Sequence, residues 1–250
     1  MKRILTITFI LLSSILYSQT PTALFDKGVD DYYAEKYAEA AESFQQLYDM
    51  GYKNFDVCYN LGNSYFKVND YPSSILYLER AKRIEPNNKD VQHNLDIVNK
   101  HIIDKIEVIP EMFYEKLWNN LQSMFSVSVW CAINITLFAL SVIFVSLMFI
   151  FNGLKIRKTM LITAIVSFLM FIFTFVVSSS INREMTKNDE AVVFTSTVTA
   201  KGSPAVNSVD LFVIHKGTKV TITDNIGELI EIRLGNGKIG WIPFTDVTVI

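Results

Sequence analysis

VSVWCAINITLFALSVIFVSLMFIF (127–151) and MLITAIVSFLMFIFTFVVSSSI (160–181) are apolar runs without a charge, joined by NGLKIRKT (152–159). As α-helices of about 25 and about 22 residues they rise roughly 37 Å and 33 Å, enough to cross a hydrocarbon core with modest tilt. The link holds Lys155, Arg157 and Lys158, and cytoplasmic loops carry an excess of such residues. The sequence therefore predicts a two-helix transmembrane hairpin, 127–151 and 160–181, whose 152–159 loop faces the cytoplasm. Both flanking arms then lie on the opposite side.

The N-terminal stretch agrees. Lys2 and Arg3 precede an apolar segment, Ile4 to Tyr17, too short to span comfortably, and Ser18 is a small residue suited to cleavage before Gln19. Residues 1–18 read as a signal peptide; kept as an anchor, they would still deliver residue 20 onward to the exported side. With no cysteine near the cleavage point, no lipoprotein modification is expected. The chain has 250 residues, 50% of them hydrophobic, and a formal net charge of −2, so it is a membrane protein with limited soluble mass and no basic face for nucleic acid. Cys58 falls in an exported helix and Cys131 in the first span, so they do not pair; Cys58 reads as a small core residue.

Between the signal and the membrane the chain repeats with a period of 34: Gly28 and Gly62, Tyr37 and Tyr71, Ala40 and Ser74, Phe44 and Leu78, Leu47 and Ala81. Such a period marks stacked helical pairs, in which small residues at the crossing admit larger ones beside them. Tyr59-Asn60-Leu61-Gly62-Asn63-Ser64-Tyr65, Asp70-Tyr71 and Glu85-Pro86-Asn87-Asn88 resemble the tetratricopeptide consensus, and Pro21 to Asn54 forms a looser first unit in which Asp31 stands at an aromatic position. Pro86 is expected to end the fourth helix. A fifth, roughly Lys89 to Ile106, would cap the array with Val91, Leu95, Val98 and Ile102, making 21–106 the repeat domain. The resemblance implies a groove lined by Phe25, Val29 and Tyr32 from unit one and by Tyr59, Asn63 and Phe66 from unit two. Aromatics there suit an extended or helical segment of another protein; the competing reading is that several of them pack on their neighbours. Relatives that clamp a terminal carboxylate need lysine, asparagine and arginine at set positions, where only Asn60 fits; Phe25, Val29, Asp90 and Asn94 occupy the others. The acidic residues of unit one, among them Asp26, Asp30, Glu35 and Glu42, read as solvated surface and lack the compact loop of a calcium site.

Residues 107–126 carry Met112, Phe113, Leu117, Trp118, Leu121, Met124 and Phe125 at helical spacing. They predict an amphipathic helix that either lies along the bilayer surface or packs on the array. Asn134 needs a partner within the bilayer. Ala132, Ala139 and Ser146, spaced by seven, would let the second span approach on their side. Neither span holds an ionisable relay group.

From Asp189 the pattern turns to β runs: Ala191 to Phe194, Leu211 to Ile214, Lys219 to Thr223, Leu229 to Leu234 and Lys238 to Ile242. Gly235-Asn236-Gly237 is a hairpin turn signal. A sheet this small is expected to curl into a barrel. Gly217-Thr218-Lys219-Val220 and Gly235 to Pro243, with Gly240-Trp241-Ile242 at their centre, resemble a bacterial SH3-like domain, 189–250. Trp241 is then either core or a ligand platform, and the resemblance implies binding to peptidoglycan stems or proline-rich segments. The fold class is thus a multidomain membrane protein with an all-α tetratricopeptide array, a transmembrane hairpin and a small all-β SH3-like barrel.

That order of parts, with Asp104-Lys105-Ile106-Glu107 leading to Pro110, resembles the E proteins of the Bacteroides aerotolerance operon, the BatE family. The resemblance implies a bacterial inner membrane protein with both soluble domains periplasmic. It also implies membrane-bound von Willebrand factor A domain Bat proteins as partners, with a MoxR-type ATPase indirectly, in envelope stress or aerotolerance. His93, His101 and His215 are scattered and no phosphate-cradling loop is present, so neither catalysis nor a cofactor is expected. Two functions remain: an adaptor that holds membrane-bound or periplasmic proteins, and a cell-wall sensor that reads peptidoglycan.

Overall fold

The computed structural model describes residues 20–107, 109–110, 112–187, 189–205 and 208–250; the expected signal peptide, 1–18, lies outside them. Among the described residues are eight α-helices and seven β-strands. The residues before 108 and from 189 onward form one compact unit, and the stretch between them forms a second.

Five helices open the first unit: α1 (Pro21–Tyr33), α2 (Tyr37–Asp49), α3 (Phe55–Lys67), α4 (Tyr71–Ile84) and α5 (Lys89–Val98). Their starts are written locally. Thr20, Asn54, Asp70 and Asn88 each accept a backbone N–H of the first turn through a side-chain oxygen, and prolines open α1 and α4 where no amide partner is needed. The repeat survives in the backbone: Glu35 and Asn69, 34 positions apart, both take positive φ, 61° and 65°, in the turns between paired helices. The small crossing residues act as their spacing predicts. A Cβ on Gly28 would stand 2.9 Å from the Phe44 ring, and one on Gly62 2.7 Å from Leu78 Cγ. Ala40 and Ser74 are fully buried at the same crossings, and Ser74 Oγ donates to the Gly62 carbonyl at 2.8 Å. The helix expected to reach Ile106 ends at Val98; Lys105 Nζ then donates to the carbonyls of Asn99 and Lys100, at 2.9 Å each.

Strands β1 (Glu190–Val193), β2 (Thr197–Lys201), β3 (Asp210–His215), β4 (Lys219–Ile226), β5 (Leu229–Arg233), β6 (Ile239–Pro243) and β7 (Val247–Val249) form one antiparallel sheet in the order β3-β2-β6-β5-β4-β1-β7. Ile230, Ile232 and Leu234 are buried while Arg233 is exposed, and Gly237 takes a φ of 83° in the expected hairpin turn. The barrel does not close, because β3 and β7 remain edges. Instead of pairing onward, the end of β7 meets the helices. Arg80 Nη2 donates to the Val249 carbonyl and Arg83 Nη1 to the Ile250 carbonyl, both at 2.7 Å. Val192, Phe194 and Ile250 belong to the same apolar cluster as Ile75, Leu95 and Ile102.

In the second unit, α6 (Phe113–Ser123) precedes two helices, α7 (Val127–Ile150) and α8 (Leu154–Thr186), both long and apolar enough to cross a membrane. Helix α8 starts six residues before the expected 160, and so absorbs most of the 152–159 link: nothing after Gly153 breaks a helix, and Arg157 Nε donates back to the Phe151 carbonyl at 2.8 Å. Lys155, Arg157 and Lys158 therefore sit exposed on the first turns of α8 rather than in a loop. The contact between α7 and α8 also differs from expectation. Trp130, Asn134 and Ser141 are buried against Ala164, Ser167, Thr174 and Val177, at the alternating three- and four-residue spacing of a helix seam. Ala132, Ala139 and Ser146 lie on the exposed side. Asn134 decides the side: its Oδ1 accepts from Thr174 Oγ1 at 2.9 Å and its Nδ2 donates to the Trp130 carbonyl at 3.1 Å, which an orientation led by the alanines would forgo.

Candidate functional site

Helices α1, α3 and α5 stand side by side, and their facing side chains enclose a cavity of about 300 Å³. Four of the six expected groove residues line it: Tyr32, Tyr59, Asn63 and Phe66. The other two, Phe25 and Val29, are half-buried against the core, Phe25 meeting the Phe44 ring edge-on at 5.5 Å. Lys67, Asn94, Ile97 and Val98 complete the lining. The last three come from α5, which the sequence casts as a cap. The 34-residue step from Asn60 and Asn63 leads to Asn94 and Ile97, so α5 occupies the place of a first helix in a third unit, and among the described residues no second α-helix follows it within the same compact unit.

The cavity is polar at its centre and aromatic at its sides. Asn94 Nδ2 donates to Tyr59 Oη at 3.1 Å and to Asn63 Oδ1 at 2.8 Å. With its oxygen engaged, Asn63 retains N–H donors suited to a ligand carbonyl. Tyr59 stacks on Phe55 at 5.5 Å, and Phe66 meets His101 edge-on at 5.4 Å. Lys67 Nζ sits over the Tyr37 ring, 5.5 Å from its centroid, within reach of a cation–π contact. Burial, reinforced by Tyr37 and Tyr59, raises the Tyr32 phenol above its ordinary value.

Residues 55–88 match the tetratricopeptide repeat. That span covers α3, α4 and the turn before α5, and supplies Tyr59, Asn63, Phe66 and Lys67 to the groove. No curated protein matches the chain. In the tetratricopeptide array, α2 and α4 form the side away from the groove, and α4 carries the β-sheet. Glu79 Oε2 and Glu190 Oε1 receive Lys219 Nζ at 3.0 Å and 2.9 Å. Burial alone would lower the Lys219 ammonium, but the two carboxylates outweigh it and raise its pKa.

A second pin lies after α5. Asp104 accepts from the His215 backbone N–H and from Thr218 Oγ1, both at 2.6 Å, and meets His215 Nδ1 at 2.9 Å. Burial pushes the Asp104 carboxyl up, but these hydrogen bonds and the His215 charge prevail and hold it below the ordinary range. Sequence reading placed Asp104 in a family motif without a role; its partners lie more than a hundred residues away. Trp241 is 8% exposed and lies between Lys201 and Glu231 on neighbouring strands. Cys58 is buried, and burial raises its thiol to about 11, which leaves it unreactive.

Proposed function

We propose that this chain is a non-catalytic adaptor held in the bacterial inner membrane by α7 and α8, and that the groove of α1, α3 and α5 binds a short segment of a protein partner. The cavity lined by Tyr32, Tyr59, Asn63 and Phe66 and bridged by Asn94 carries this reading. Its aromatic and amide chemistry suits a peptide backbone with an apolar side chain, and no reactive group converges there. The outward faces of both long helices bear exposed residues such as Ile135, Phe149 and Leu169, a surface that lipid would cover.

Segments from before and after α7 and α8 build one folded unit, and that supports an even number of crossings with both arms in one compartment. The charges of Lys155, Arg157 and Lys158 favour the periplasm for those arms. By its resemblance to the BatE family, the partner class is a membrane-bound von Willebrand factor A domain protein in a MoxR-linked envelope-stress or aerotolerance complex. The buried position of Trp241 makes the groove a better candidate surface than the sheet. The test is capture of native complexes in mild detergent with Tyr59→Ala/Phe66→Ala. Partners lost while the helical melt persists are the expected result; partners retained by a folded double variant would sink the groove.

A further inference from the structure

Helix α6 divides cleanly into two sides. At 100° per residue, Phe113, Tyr114, Leu117, Trp118, Leu121 and Met124 fall within an arc of roughly 140°, and Glu115, Lys116, Asn119, Asn120 and Ser123 occupy the opposite one. None of the apolar residues is buried: Phe113 is 84% and Leu117 68% exposed. Yet the helix is not loose. Gln122, at the border of the two arcs, donates from Nε2 to Ser180 Oγ at 2.9 Å, and its carbonyl accepts from Trp130 Nε1 at 3.1 Å. Trp130 lies in the first turn of α7, and Ser180 lies one residue before the end of the apolar run 160–181 in α8. Where α7 and α8 cross a bilayer, both residues fall at the level at which hydrocarbon gives way to water at one end of the hairpin.

We infer that α6 is an in-plane membrane anchor whose Phe113, Leu117 and Trp118 side enters the boundary between headgroups and acyl chains. The inference rests on α7 and α8 crossing the bilayer. The sequence allows two covers for this face, lipid or the repeat array, and two observations choose lipid. Gln122 holds the helix at the end of the apolar spans, and α7 begins four residues after α6 ends, so the face continues the membrane-covered surface. The charge is balanced, Glu115 beside Lys116, so insertion is driven by apolar area and anionic lipid is not required.

The test uses the full chain with Cys58→Ala and Cys131→Ala, reconstituted in phosphatidylcholine vesicles with and without phosphatidylglycerol. Single spin labels are placed at Leu117→Cys, Lys116→Cys and, within the span, Ile165→Cys. All three positions are exposed, so the labels do not disturb packing. Expected is a several-fold preference for oxygen over a water-soluble nickel chelate at 117 and 165, the reverse at 116, and no change with anionic lipid. A label at 117 that prefers nickel, or that both reagents miss because protein covers it, overturns the inference while 165 upholds the spans. Loss of the oxygen preference at 165 overturns the spans themselves, and the anchor with them.

Discussion

At Gly62 a single methyl group decides whether α3 and α4 can meet. An added Cβ would lie 2.7 Å from Leu78 Cγ and 3.1 Å from the Leu78 backbone nitrogen. The clash outweighs the better helix propensity of alanine, which is worth about 1 kcal/mol. Gly62→Ala should therefore destabilise the array by about 1–3 kcal/mol, read as a lower urea midpoint for helical signal. Glu35 is the opposite case: its positive φ favours asparagine, the residue found at Asn69 in the equivalent turn, so Glu35→Asn should raise stability by about 0.5 kcal/mol. Asp104 sets a pH limit. A carboxyl held below its unfolded value, about 3.9, contributes stability that is complete above that value and is lost as pH falls through the lowered one. The melting temperature of the detergent-solubilised chain should thus fall below about pH 4. Asp104→Asn should melt lower at pH 7, with the gap from the parent closing in acid. The glycines were legible because their partners sit within one repeat; Asp104 was not, because no local pattern names a partner at His215.

Helix pairing shows how a polar atom outranks a small-residue pattern. Ala139 belongs to the seven-residue stripe that predicts close approach, yet it is exposed, while Ala164 is 2% exposed beneath α7. Ala139→Leu should leave the hairpin within about 0.5 kcal/mol, whereas Ala164→Leu should cost about 1–3 kcal/mol. Unfolding of the reconstituted hairpin in a denaturing detergent compares the two; equal losses would contradict the seam through Trp130, Asn134 and Ser141. The strands divide in the same way. The five with short apolar or alternating runs were readable. Strand β2, in a run of serine and threonine, and β7, three residues long, gain their identity from pairing with β3, β6 and β1. Helix α5 was readable as an apolar stripe of Val91, Leu95 and Val98, but its contribution of Asn94 to the groove depends on its lying beside α3.

On the scale of the molecule, the array and the sheet are one folded unit: Ile250 and Val192 fill the apolar end of the helices, and Arg80, Arg83, Glu79 and Asp104 hold strand ends that would otherwise be bare. Arg80→Ala/Arg83→Ala should lower the melting of helix and sheet signals together. Separate transitions in the parent would show that the two modules fold independently. The sequence by itself determined the parts: long uncharged runs make helices apolar enough to cross a membrane, a 34-residue period makes helical pairs and period-two alternation makes strands, because each of these signals is carried by neighbours along the chain. Only the tertiary structure decided which faces those parts share. The arginine bonds to the end of β7, the Asp104 pin, the seam through Asn134 and the bonds of Asn94 to Tyr59 and Asn63 all join residues far apart in sequence. Such contacts are selected by buried area and by the cost of leaving a polar group unpaired.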